Sequence, residues 1–231
     1  VTEESHDLKV IQMKGVYMPK NTFLNLEEEK RNKILKSAIS EFSANGFEKG
    51  NVAAIAKNAG VSKGSMYQYF NDKKDIYLYC IEKAYEISLK YVENRTKEYY
   101  KMSVFDYTYL GFKNAWSFLV DEREVYILLE NAAFDMNSDI GSEVLKIIYR
   151  DSVSVFNSIT EMIDMNKEKG LIKTQVSTDL ILIYITAISA KFKEKMLFIA
   201  KEKGKKVCDM SFEDFEPLIK DMISLIKNGI G

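Results

Sequence analysis

The sequence runs to 231 residues, 46% of them hydrophobic and 29% charged, with two prolines and a formal net charge of −1. Such a chain is long enough to bury a sizeable core, too apolar to be disordered, and too evenly charged to be a wholly basic nucleic-acid coat. The charge is nevertheless uneven: residues 20–90 carry 12 basic and 9 acidic side chains, a net of +3 that leaves −4 elsewhere.

Chemistry-bearing residues are sparse. The only histidine is His6, and Cys80 and Cys208 lie far apart without metal-ligand spacing, which predicts reduced thiols. Histidine-based triads and histidine-containing metal sites are therefore excluded, and the Gly-Val-Ser-Lys-Gly run at 60–64 follows no strand, so it is no phosphate loop. The expectation is a non-enzymatic protein with no catalytic residue, no cofactor and no metal. The opening residues are acidic and polar, unlike a secretory signal, and the most apolar run, 180–190, is too short to span a bilayer. A cytoplasmic protein with no membrane partner is expected.

Residues 1–17 show no helical or strand period and read as a mobile arm, or as sequence ahead of a start at Met18. From Leu26 the pattern turns helical, with Ile34, Leu35, Ala38, Ile39 and Phe42 at three- and four-residue steps. Glu27, Glu28 and Glu29 suit the positive end of that helix, and Asn45-Gly46 is a stop signal, after which Phe47 tucks into the core.

Residues 51–73 carry the sharpest signal. Asn51 is an N-cap, and Val52, Ile55, Ala56 and Ala59 form one inward face. Gly60 sits where the chain turns, Ser62 caps a second helix, and Val61 is spaced to pack on Met66. Met66 and Phe70 continue the inward stripe, leaving Lys63, Gly64, Ser65, Tyr67, Gln68 and Tyr69 to face outward. A helix-turn-helix with small and polar residues at the start of its second helix suits the major groove of DNA. Lys63 is placed to donate to guanine, Gly64 lets backbone approach base edges, and Tyr67 and Gln68 offer contacts to thymine methyls and adenine. Ser65, Tyr69, Lys73 and Asn51 are placed as phosphate donors.

Beyond this, helices are predicted over residues 73–100, 104–120, 122–134, 142–169 and 177–203, the fourth stopped by Gly170. A last stripe of Phe215, Leu218, Ile219, Met222, Ile223 and Ile226 predicts a helix that Pro217 either starts or kinks. No strand alternation is sustained, so the fold class is all-α. The middle helices are dense in aromatics, including Phe112, Trp116, Tyr126, Phe134, Tyr149 and Phe156, which predict a pocket for a lipophilic small molecule. Glu130 and Asp135 either face solvent or meet a cationic ligand. The wide apolar faces of 177–203 and 217–227 predict a homodimer through a four-helix interface.

The run I-A-K-N-A-G-V-S-K-G-S-M-Y-Q-Y-F-N-D-K-K-D-I-Y at 55–77 resembles the signature of the TetR family of one-component bacterial regulators, and R-N-K-I-L-K-S-A-I-S-E-F-S-A-N-G-F at 31–47 resembles the family's first helix. Asn51 stands where Thr or Ser is common, and Asp72 adds a negative charge beside Lys73. The resemblance covers about residues 26–81. It implies a flexible N-terminal arm (1–21), a three-helix helix-turn-helix DNA-binding domain (22–72), and a helical ligand-binding and dimerisation domain (73–231). By the same resemblance Lys63, Gly64, Tyr67 and Gln68 meet bases, and Asn51, Ser65, Tyr69 and Lys73 meet phosphates. The implied function is a repressor that binds a palindromic operator as a homodimer and is released by a small lipophilic molecule. The alternative is a helical small-molecule-binding protein whose helix-turn-helix is only structural.

Overall fold

The structure is a computed structural model that describes residues 18–96, 102–134, 140–150, 152–173 and 175–230. Residues 1–17, most of the expected arm, and Asp135 lie outside the described residues. Every regular element among the described residues is helical. The N-terminal part is built from α1 (Asn21–Leu24), α2 (Glu28–Lys49), α3 (Val52–Asn58) and α4 (Lys63–Tyr69), followed by the long α5 (Lys73–Thr96). Then come α6 (Val104–Asp121), α7 (Arg123–Phe134), α8 (Gly141–Ile148), α9 (Ser152–Glu168), α10 (Thr178–Glu202) and α11 (Glu216–Ile230).

Helix α2 carries the predicted inward stripe, with Ile34, Ala38, Ile39 and Phe42 buried. Its regular path ends at Gly46, whose φ of 66° breaks the helix, and one further turn brings Phe47 against Tyr77, ring centroids 5.2 Å apart. The expected single helix over 142–169 is corrected to two, α8 and α9. The chain turns at Tyr149 and Arg150, where the Arg150 guanidinium reaches back to pair with buried Glu82 of α5 and lies 5.3 Å from the Tyr85 ring. Together with a 2.7 Å ion pair between Lys74 and Glu143, this fixes both ends of α8 to α5. Pro217 starts rather than kinks α11, as fits a residue whose missing N–H is unneeded in a first helical turn.

Among the described residues two apolar cores result. The first joins α1–α4 to α5, α7 and α8 through residues such as Phe23, Ile39, Tyr77, Leu128 and Val144. The second joins α6, α9, α10 and α11 through Trp116, Ile163, Phe192 and Phe215. Tyr126 packs against both. Helix α10 buries only one face, that of Ile181, Ile185, Phe192 and Met196, while Leu180, Ile183, Leu197 and Phe198 remain more than half exposed. Phe215, just before α11, and Ile219, Met222 and Ile226 on it are buried, but Leu218 of the expected stripe is exposed and Leu225 is 72% exposed. Among the described residues, no helix is long and apolar enough to cross a membrane.

Candidate nucleic-acid interface and effector cavity

The turn between α3 and α4 is fixed by local hydrogen bonds. The Asn51 Oδ1 accepts from Ala53 N at 2.9 Å, capping α3. At the other end Gly60, with φ 71°, donates to Lys57 O and Val61 donates to Ala56 O, the paired bonds of a Schellman stop that needs a left-handed residue. Ser62 Oγ then accepts from Ser65 N at 3.0 Å, capping α4, while Met66 is fully buried.

Lys63, Gly64, Tyr67 and Gln68 all stand exposed on α4. Gly64 is not required by packing, because a Cβ there would meet only Ser62 Oγ, at 3.7 Å. Of the expected phosphate donors, Asn51 is exposed and keeps its Nδ2 clear of the capping bond; Ser65 is half-buried, its hydroxyl 2.8 Å from that of Ser62. Lys73 is also half-buried: its ammonium donates to Glu48 O at 3.0 Å and lies 4.8 Å from the Phe47 ring.

Tyr69 is a correction. Expected on the outward face, it is only 7% exposed, because Phe23 of α1 packs against it with ring centroids 5.9 Å apart. Helix α1 itself went unforeseen, and Lys20 and Asn21 belong to the folded part rather than to an arm. The Lys20 ammonium donates to Tyr67 O at 3.0 Å and Phe70 O at 3.1 Å, satisfying carbonyls at the end of α4 with a cation suited to the negative end of a helix.

A cavity of about 790 Å³ opens among α6, α7, α9, α10 and residues 206–208. Phe112, Trp116 and Tyr126 line it, as expected. Tyr149 and Phe156 do not and are 49% and 44% exposed: the first sits in the turn that ends α8, and the second lies one turn before Ile159, where α9 reaches the cavity. The Phe134 side chain lies outside the described residues. Glu130 faces the cavity, but its partner is Lys193, at 2.5 Å. Burial works against the Lys193 charge, but Tyr126 and Glu130 together outweigh it and hold the ammonium above its usual pKa; burial likewise raises the Tyr126 phenol. Cys208 lines the cavity, whereas Cys80 is buried and its thiol is pushed upward by that burial. Both cysteines are free.

The outer face of α7 meets the DNA-binding part. Ser40 Oγ donates to Glu124 Oε1 at 2.8 Å, and Asn131 Nδ2 donates to Ser43 O at 3.0 Å. No sequence pattern flagged this contact, since Glu124 and Asn131 read as ordinary surface positions.

The profile of the family described as bacterial regulatory proteins, tetR family, matches residues 34–80, which span the buried stripe of α2, the turn and α4. Residues 34–80 carry the DNA-binding region of the TetR family. That region is a helix-turn-helix DNA-binding domain at the N-terminal end, as in transcriptional regulators of the family, and the helices after it share the fold of those regulators. Among TetR-family relatives, the biofilm operon icaADBC negative transcriptional regulator IcaR of Staphylococcus epidermidis is 28% identical over 119 residues, 51% of this chain and 62% of that protein. The chain thus spans less than two thirds of that relative. IcaR of Staphylococcus aureus is 24% identical over 179 residues, 75% of this chain and 91% of the other. A TetR-family regulator from Chloroflexus aurantiacus shares the fold with a TM-score of 0.68 at 21% identity, over 92% of this chain and 98% of that one. So does the transcriptional regulator FadR from Bacillus subtilis, in complex with stearoyl-CoA, with a TM-score of 0.60 at 18% identity over 87% and 99%.

Proposed function

We propose that this regulator is a repressor that binds a near-palindromic operator as a homodimer and is released when a small lipophilic molecule fills the cavity. In this reading Lys63, Gly64, Tyr67 and Gln68 meet bases, and Asn51, Ser65 and Lys73 meet phosphates. Tyr69 acts only from beneath, by bracing α4.

The observation that carries the DNA reading is Gly64. A glycine within a helix costs up to about 1 kcal/mol against alanine, and here the fold has room for a side chain. Its place on the exposed side of α4 fits a backbone that another molecule must approach closely. Repression is favoured by the relatives named as negative regulators. The apolar walls of the cavity favour a lipophilic effector, and the related fold of FadR holds stearoyl-CoA. Dimerisation rests on the uncovered faces of α10 and α11, which together would form a four-helix interface. Action on DNA puts the protein in the cytoplasm.

The coupling route runs through α7. Among the described residues none that lines the cavity belongs to α5, whereas Arg123, Tyr126, Ile127 and Glu130 of α7 do line it. Since the other face of α7 bonds to α2, an occupant that shifts α7 moves the reading head directly, with α5 following as part of the same core.

Gly64→Ala separates reading from folding. The variant should be as stable as the parent or slightly more so, yet bind operator at least tenfold more weakly. Lys63→Ala with Tyr67→Ala should lose still more, and parental affinity should fall steeply with salt. Unchanged affinity in both variants would return the helix-turn-helix to a purely structural role.

A further inference from the structure

The effector cavity is mostly apolar, but its charged lining residues are unequal in sign: Arg123, Lys193 and Lys206 against the single carboxylate of Glu130. Glu130 is already committed to Lys193 at 2.5 Å, so that pair is internally neutral. The excess positive charge therefore sits with Arg123 and Lys206. These two are close in the fold: Lys206 begins the 3₁₀ turn Val207–Asp209, and Asp209 of that turn approaches Arg123. The approach is loose, 3.8 Å between Arg123 Nη1 and Asp209 Oδ1, and Asp209 does not itself line the cavity. Arg123 and Lys206 are both solvent-accessible, whereas Trp116 of the aromatic lining is buried and Phe112 packs on buried Phe192, ring centroids 5.2 Å apart. The cavity thus runs from an aromatic interior to a cationic mouth.

We infer that the effector is an amphipathic anion, with an apolar chain lying against Phe112 and Trp116 and a carboxylate or phosphate held at the mouth by Arg123 and Lys206. This rests on the reading of the cavity as the effector site. An apolar chain gains from leaving water for the aromatic wall. The anionic head gains charge-assisted hydrogen bonds while remaining at the solvent edge, where it need not be fully desolvated. A guanidinium offers two parallel donors to either oxyanion. A cationic amphiphile meets the opposite arrangement: the one acidic side chain in the described lining, Glu130, is occupied, and the mouth repels it.

The test is calorimetric titration of the full chain with four twelve-carbon probes below their micelle concentrations: laurate, lauroyl-CoA, dodecanol and dodecyltrimethylammonium. The better of the two anions should bind about tenfold or more tightly than dodecanol, the ratio that a charge-assisted bond supplies, and the cation should bind weakest. The comparison of laurate with lauroyl-CoA identifies whether carboxylate or phosphate is the preferred head. In an Arg123→Gln, Lys206→Gln variant the anion's advantage should vanish while dodecanol affinity stays unchanged, which also shows that the cavity is intact. Dodecanol binding as tightly as both anions, or the cation binding tightest, overturns the anionic head and leaves the cavity reading standing. Failure of all four to bind overturns both.

Discussion

Lys20 shows how a single side chain secures a helix too short to hold itself. Helix α4 has seven residues, below the length at which a helix is stable alone, and its final carbonyls would otherwise be left to solvent. The Lys20 ammonium bonds two of them. Lys20→Met should therefore destabilise the protein by about 1 kcal/mol, read as a lower urea midpoint with unchanged slope; an unchanged midpoint would mean that the contact contributes nothing. The exposure of Lys63, Gly64, Tyr67 and Gln68 was legible in the sequence, because helical periodicity and the buried Met66 fix which way they point. The burial of Tyr69 was not. It depends on Phe23, some 46 residues earlier in the chain, and no local period encodes a contact of that range. The same holds for Arg150, whose pairing with Glu82 marks the break that periodicity alone read through.

At the scale of elements, buried polar links decide how helices join. Asn166 of α9 is 1% exposed; its Oδ1 accepts from Val104 N at 3.0 Å, and its Nδ2 donates to Met162 O at 2.8 Å and Met102 O at 3.3 Å. It ties the start of α6 to α9. Asn166→Ala would leave buried backbone groups unpaired, at a cost of about 1–3 kcal/mol, measurable by chemical denaturation; a neutral substitution would show that water replaces the side chain. The link between α5 and α8 responds instead to pH. Hydrogen bonds from Lys74 first, then Ser142 and its own backbone, lower the Glu143 pKa from 4.5 to about 2. A carboxylate whose folded pKa is lowered adds stability above its unfolded value, and that contribution disappears as pH falls through the folded one. The stability gap between parent and Glu143→Gln should therefore be widest near neutrality and close on acidification from about 4.5 towards 2; a pH-independent gap would remove the charge from the explanation.

For the whole molecule, the sequence made the helical architecture and the position of the proposed reading head legible, but left the proposed path between cavity and DNA hidden. That path depends on α7 having two working faces, one on the cavity and one on α2, and each looks unremarkable as a stripe of residues. The pocket was half legible: aromatic density located Phe112, Trp116 and Tyr126, but the same density also pointed to Tyr149 and Phe156, which lie outside the lining and exposed. Uncovered apolar surface on α10 and α11 leads to a further expectation. Ile183→Glu with Leu225→Glu, both at exposed positions, should leave the fold intact but shift the proposed dimer to monomer in sedimentation and weaken operator binding in parallel. A variant that remains dimeric would place the interface elsewhere.

The central claim is that two copies of α4 read DNA together. Its most direct measurement is selection of bound genomic fragments followed by footprinting of the enriched sequence. The account predicts two symmetry-related protected patches on one face of the duplex, with half-sites about 34 Å apart or a multiple of that spacing. Failure to enrich any sequence, or a single asymmetric patch, would contradict it.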